Sequence, residues 1–123
     1  MKKTYALACL ISAGISSAAA SAPDMTLDFT WLGTTMCVPR PNSPEFQLGN
    51  VPAGTARLRF ALLGPSGREL GGADVQLPKQ GAVPRGAVSY RSPCVGGIYT
   101  WTVEALDADG KRLASASLAR PFY

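Results

Sequence analysis

Cys37 and Cys94 are the side chains here with the most evident covalent chemistry. An even pair in an exported protein favours a disulfide, and export is what the first residues of the chain argue below. The loop they would close is long, so the chain-entropy model assigns the bridge roughly 4 kcal/mol. The other reading of the pair is two free, buried thiols. Neither reading makes a metal site, because the chain has no histidine and two cysteines fall short of the four ligands of structural zinc. The same lack of histidine removes Ser-His-Asp and Cys-His arrangements, the usual ways of activating a nucleophile. The carboxylates remain for acid–base work. Asp107 and Asp109 sit in a turn sequence, where short side chains bond to backbone, and Glu104 lies on the polar face of a strand pattern. Gly71-Gly72 is too short for a phosphate-cradling loop. The expectation is therefore a protein that is not an enzyme, with no metal and no cofactor.

The elements that must position these groups begin after a leader. Lys2 and Lys3, an apolar run from Tyr5 to about Ile15 and the small residues Ser16 to Ala20 have the pattern of a secretory signal peptide over residues 1–20, cleaved after Ala20. The run is too short to span a bilayer, and no second run is long enough. Cys9 lies inside it, too early to become a lipidated N-terminus. Residues 21–123 form one domain with a modest core. Without Lys2 and Lys3, 10 cations face 8 anions and the net charge falls from +4 to +2. The cations are scattered, with no basic stripe of the kind nucleic acid requires.

The domain reads as short strands punctuated by Gly and Pro. Thr26–Leu32 alternates, with Leu27, Phe29 and Trp31 on one face. Glu45–Leu48 is a short strand. Thr55–Leu63 is the clearest, with Leu58, Phe60 and Leu62 opposed to Arg57, Arg59 and Ala61. Gly33–Ser43, Glu69–Gly72 and Lys79–Gly86 read as loops; Ala73–Leu77 and Ala87–Tyr90 read as short strands. Ile98–Leu106 carries Tyr99, Trp101, Val103 and Ala105 on one face, and an Asp-Gly turn sends Lys111–Ala119 back beside it. The fold class is all-β, a sandwich or barrel.

Two stretches resemble the phosphatidylethanolamine-binding protein family, also called Raf kinase inhibitor-like proteins. The segment Asn42-Ser43-Pro44-Glu45-Phe46-Gln47-Leu48-Gly49-Asn50-Val51-Pro52-Ala53-Gly54-Thr55 is similar to the family's N-x-S-P-x-hydrophobic-x-W-x-x-V-P-x-G-T, with Leu48 in the tryptophan's place. Tyr90-Arg91-Ser92-Pro93-Cys94, continuing to Tyr99, Trp101, Val103 and Ala105-Leu106-Asp107, is similar to Y-x-G-P-C-P-P-x-G-x-H-x-Y-x-F-x-V-Y-A-L-D, with a shorter loop after the cysteine. The order of the two agrees, and together they anchor about residues 37–110.

The resemblance implies an antiparallel β-sandwich. It points to a short, exported bacterial branch whose two cysteines sit where Cys37 and Cys94 sit here. It also implies a pocket for phosphate-like anions, which the family builds from a D-P-D-x-P aspartate and two histidines. Those positions fall near Leu63–Gly67, Leu70 and Gly97, and none of the groups is present. Tyr90, Pro93 and Tyr99 match pocket-adjacent positions and are the expected ligand-binding residues, aided by backbone N–H groups of the Ser92–Gly97 loop. The expected function is an exported protein, periplasmic or secreted, that binds a small anionic or lipid-like ligand through a pocket lacking the family's Asp and His. The alternative is a structural or protein-interaction domain of the cell envelope with a protein partner and no small ligand.

Overall fold

The alternation of Leu58, Phe60 and Leu62 with Arg57, Arg59 and Ala61 fixes the centre of the molecule. In the computed structural model, which describes residues 23–123, seven strands are present: β1 Thr26–Asp28, β2 Phe46–Gly49, β3 Arg57–Leu63, β4 Glu69–Gln76, β5 Ala82–Val83, β6 Gly97–Leu106 and β7 Arg112–Phe122. They form two antiparallel sheets, β1-β2-β5 and β4-β3-β6-β7, with no helix among the described residues. The expected antiparallel β-sandwich is the observed fold. The signal peptide, its cleavage site at Ala20 and Cys9 lie outside the described residues. Among the described residues no helix is long and apolar enough to cross a membrane.

β3 pairs with β6 over its whole length, from Arg57 opposite Leu106 to Leu63 opposite Thr100. The register sends Leu58, Phe60, Leu62, Trp101, Val103 and Ala105 inward, each at most 1% exposed. Leu27, Phe46 and Val83 meet them from the three-stranded sheet. Phe46 stacks on Phe60 at 4.5 Å and meets Trp101 edge-on at 5.0 Å, so aromatic contacts join the two layers.

Several elements differ from the sequence reading, each for a local reason. Residues 69–72 belong to β4 and not to a loop. There the pairing shifts between Ala61 and Leu63, and Gly71 takes φ +97° in the resulting irregularity. Ala87–Tyr90 joins neither sheet. Val88 and Tyr90 are buried, but Val88 N–H donates to the Ser43 hydroxyl and Ala87 N–H to the Pro84 carbonyl. The burial alternation is that of a strand; the hydrogen-bond partners are a side chain and a turn. The short strand on that side is Ala82–Val83, inside the segment read as a loop. β1 ends at Asp28, whose side chain accepts the Phe29 N–H, while Phe29 still packs inward. β7 runs past Ala119 to Phe122, because its Pro121 needs no ladder donor at the edge of a sheet.

Gly72 has no room for a side chain: a Cβ would stand 1.9 Å from the Phe60 carbonyl oxygen. Gly67, at φ +84°, has open space around it. Gly72→Ala is expected to lower the urea midpoint sharply, by about 3 kcal/mol or more of stability, because backbone must move. Gly67→Ala costs about 1 kcal/mol, the penalty of a left-handed alanine. Equal losses in the two variants would contradict this account of β4.

Candidate functional site

The β3, β6 and β7 register brings Leu63, Gly97 and Phe122 to one end of the sandwich, and the loops that the sequence singled out gather there. Cys37 and Cys94 are joined as a disulfide across 57 residues of sequence, and both are exposed. Beside the bridge, Cys37 N–H donates to the Pro93 carbonyl at 2.9 Å and Val38 N–H to the Ser92 hydroxyl at 3.3 Å. Arg91 N–H donates to the Leu70 carbonyl at the edge of β4.

These bonds frame a cleft of about 570 Å³. Tyr90, Arg91 and Ser92 line it together with Val38 and Pro39, which Ser92 holds, and with Leu70 and Gly71, against which the Tyr90-Arg91 backbone sits. The Gly71 backbone approaches closely, since a Cβ there would stand 3.1 Å from the Tyr90 Cα. Arg91 is exposed and has no carboxylate within ion-pair distance among the described residues. The cleft thus offers a free guanidinium and the hydroxyls of Ser89 and Ser92, a donor set suited to an anion.

Tyr90 lines this cleft from within the core. It is 8% exposed, meets Trp101 edge-on at 5.2 Å and donates its hydroxyl to the Asn42 carbonyl at 3.3 Å. Burial pushes its phenol up to about 12. Pro93 is buried beneath the disulfide, presenting its carbonyl to Cys37. Tyr99 is 4% exposed, packs edge-on against Phe122 and donates its hydroxyl to the Val95 carbonyl. Tyr99 lies where a second group of predicted positions converges. A Cβ on Gly64 would meet Leu70 at 3.6 Å and Tyr99 at 3.7 Å; one on Gly97 would meet Pro65 at 2.9 Å. Leu70, Pro65 and Tyr99 therefore fill the space among those positions. Sequence reasoning did not single out the Arg91 side chain, Val38 or Pro39, and it reached Ser92 only through the backbone of its loop. The signal for Arg91 was an arginine inside a quoted motif, unmatched by any acid near it in sequence.

A larger groove, about 970 Å³, crosses the outer face of the four-stranded sheet. Its floor is one rung of small residues, Gly72, Ala61, Thr102 and Ser117, placed side by side by the register. Its cations are already paired: Arg59 binds Asp74 through two hydrogen bonds of 2.8 and 3.1 Å, and Arg112 reaches Glu104 at 3.2 Å. The Arg59 hydrogen bond holds the Asp74 carboxyl below its ordinary range. The charge left over is the Glu69 carboxylate, which has no ion-pair partner among the described residues, so this groove offers an anionic ligand no free cation, unlike the cleft.

No protein-family model and no curated protein matches the chain. Among solved structures, it is similar to a protein of Chlamydia trachomatis named as a phosphatidylethanolamine-binding protein homolog, with 17% identity and a TM-score of 0.57 over 81% of this chain and 97% of that one. The likeness is one of fold.

The buried Tyr90 gives an alkaline signature. Its phenol ionises near 10 when unfolded and near 12 when folded, so the folded state binds the proton more tightly. Its contribution to stability is complete below pH 10 and is lost as pH rises through about 12. Tyr90→Phe is expected to flatten the fall in stability over that window, measured by circular dichroism. At neutral pH it should cost about 1 kcal/mol, through the Asn42 carbonyl left without its donor. A variant as alkali-sensitive as the parent would remove Tyr90 as the source.

Proposed function

We propose that this chain is an exported binding protein for a small anion or anionic headgroup, and that the ligand sits in the cleft between Val38-Pro39 and Tyr90–Ser92. The observation that carries this reading is Arg91: a cation without an acidic partner among the described residues, beside two serines, in a cleft whose floor is bare backbone at Gly71. The fold shared with a phosphatidylethanolamine-binding protein homolog supports it. The filled space around Leu70, Pro65 and Tyr99 argues that the pocket is retuned, with Arg91 replacing the absent Asp and His groups. Tyr90, Pro93 and Tyr99 serve it from behind, shaping the loop more than touching the ligand. Binding without turnover fits a chain that has no histidine. The leader-like residues 1–20 and the disulfide support export to the periplasm or the medium.

A second reading, a protein-interaction domain of the envelope, draws on the outer groove. Its small-residue floor would let another protein approach the sheet closely, and Ser117→Lys would then abolish a complex that Arg91→Gln spares.

Titration of the 15N-labelled domain with inorganic phosphate and with phosphoethanolamine tests the first reading. Saturable shifts of the Ser89, Arg91 and Ser92 amides are expected, with affinity weakened at least about tenfold in Arg91→Gln, the loss of one charge-assisted contact. Phosphoethanolamine binding more tightly than phosphate would assign the site to a lipid headgroup; equal affinities would assign it to the free anion. The absence of saturable shifts with both would sink the ligand-binding reading.

A further inference from the structure

The Cys37–Cys94 bridge stands beside the cleft, one residue from Val38 and two from Ser92 in sequence. Both cysteines are exposed, so a thiolate can approach the bridge without unfolding the protein. Neither cysteine lies in a strand, and no strand lies within residues 33–43 or 91–95. Between Gly33 and Asn42, only Met36 packs against the core. The core itself is carried by β3 and β6 and by Phe46, all outside these loops. Cys37 has φ +58°, a left-handed backbone that a non-glycine residue rarely adopts. The bridge and one hydrogen bond, Cys37 N–H to the Pro93 carbonyl, are what tie this residue to the opposite loop. Its neighbour Val38 is held to Ser92 by one further bond, from N–H to hydroxyl. The Val38–Ser92 bond joins two residues that line the cleft, and the other two ties hold the chain immediately beside them.

Resting on the ligand reading above, we infer that the Cys37–Cys94 bridge is a redox latch on the cleft: reduction frees the Val38-Pro39 wall and empties the site while both sheets stand. The reductant is a dithiol, small or protein-borne. One of its thiolates attacks a bridge sulfur, forming a mixed disulfide and releasing the other cysteine as a thiolate that takes up a proton. The second thiol of the reductant then displaces the remaining cysteine, closing its own disulfide. The bridge gains two electrons and two protons, and the dithiol loses the same. Once free, Cys37 leaves the left-handed region, its N–H leaves Pro93, and Val38 and Pro39 swing away from Arg91. Oxidation by a disulfide-bearing partner reverses each step.

Amide hydrogen exchange on the oxidised and dithiothreitol-reduced protein, with phosphate titration of both, tests this. Reduction is expected to strip protection from the Cys37 and Val38 amides at least about tenfold, leave β3 and β6 protected, and weaken phosphate binding by a similar factor. The double variant Cys37→Ser, Cys94→Ser should behave as the reduced form does, without reductant present. Unchanged protection at Cys37 and Val38 after reduction would overturn the latch. So would loss of protection throughout β3 and β6, which would make the bridge a support of the whole fold. Equal phosphate affinity in the two redox states would overturn it as well. If the oxidised protein binds no phosphate, the ligand reading fails by itself, and the amides still report whether the wall is released.

Discussion

A slip of one residue between β3 and β6 would exchange Leu58, Phe60 and Leu62 for Arg57, Arg59 and Ala61 at the centre of the core. Everything else hangs on that register. It stacks Phe60 beneath Phe46 and sets Trp101 within 5.2 Å of the Tyr90 ring. It aligns Arg59 with Asp74 on one side and Glu104 on the other, so that the outer face carries its own neutralising ions. Exposed ion pairs of this kind add little stability each; their larger effect is to make the slipped register costly, since it would bury three charged or small groups against aromatics. The loops at the Leu63 end inherit their positions from this pairing, because Gly97 and Glu69 begin the strands that flank β3.

Those parts of the fold were legible where side chains alternate strongly. The faces of Thr55–Leu63 and Ile98–Leu106 follow from period two alone, and the Asp-Gly turn located the last hairpin. The failures are instructive because they concern partners. Val88 and Tyr90 alternate inward as in a strand, but strand pairing is a property of two segments, and the groups opposite Val88 are a serine hydroxyl and a turn. Gly71-Gly72 looked like punctuation, since glycine ordinarily weakens a strand. Here the close approach of the Phe60 carbonyl demands it, a fact that resides in β3 and is invisible in β4 alone.

The candidate site was legible to a lesser degree. The motif positions fall at the end of the sandwich where the candidate cleft lies, and the expected disulfide is the one formed. The matched aromatic residues are buried, since motif likeness records where a backbone goes and not which atoms meet solvent. Arg91 is the opposite case: its local sequence shows only an arginine with no acid nearby, and its place in the cleft comes with a backbone hydrogen bond to Leu70 that only the folded edge of β4 supplies.

The bridge also divides the chain mechanically. β2, β3, β4 and β5 lie inside the closed loop, while β1, β6 and β7 lie outside it. A pull applied between residue 23 and residue 123 loads β1 and β7 directly, yet passes from Cys37 to Cys94 through sulfur and never stretches the loop that separates them by 57 positions in sequence. At about 3.5 Å per residue, that withholds roughly 200 Å of extension. Under tension the oxidised molecule behaves as a short tether with a knot of slack in its middle, and the reduced one as a tether that pays out its full length.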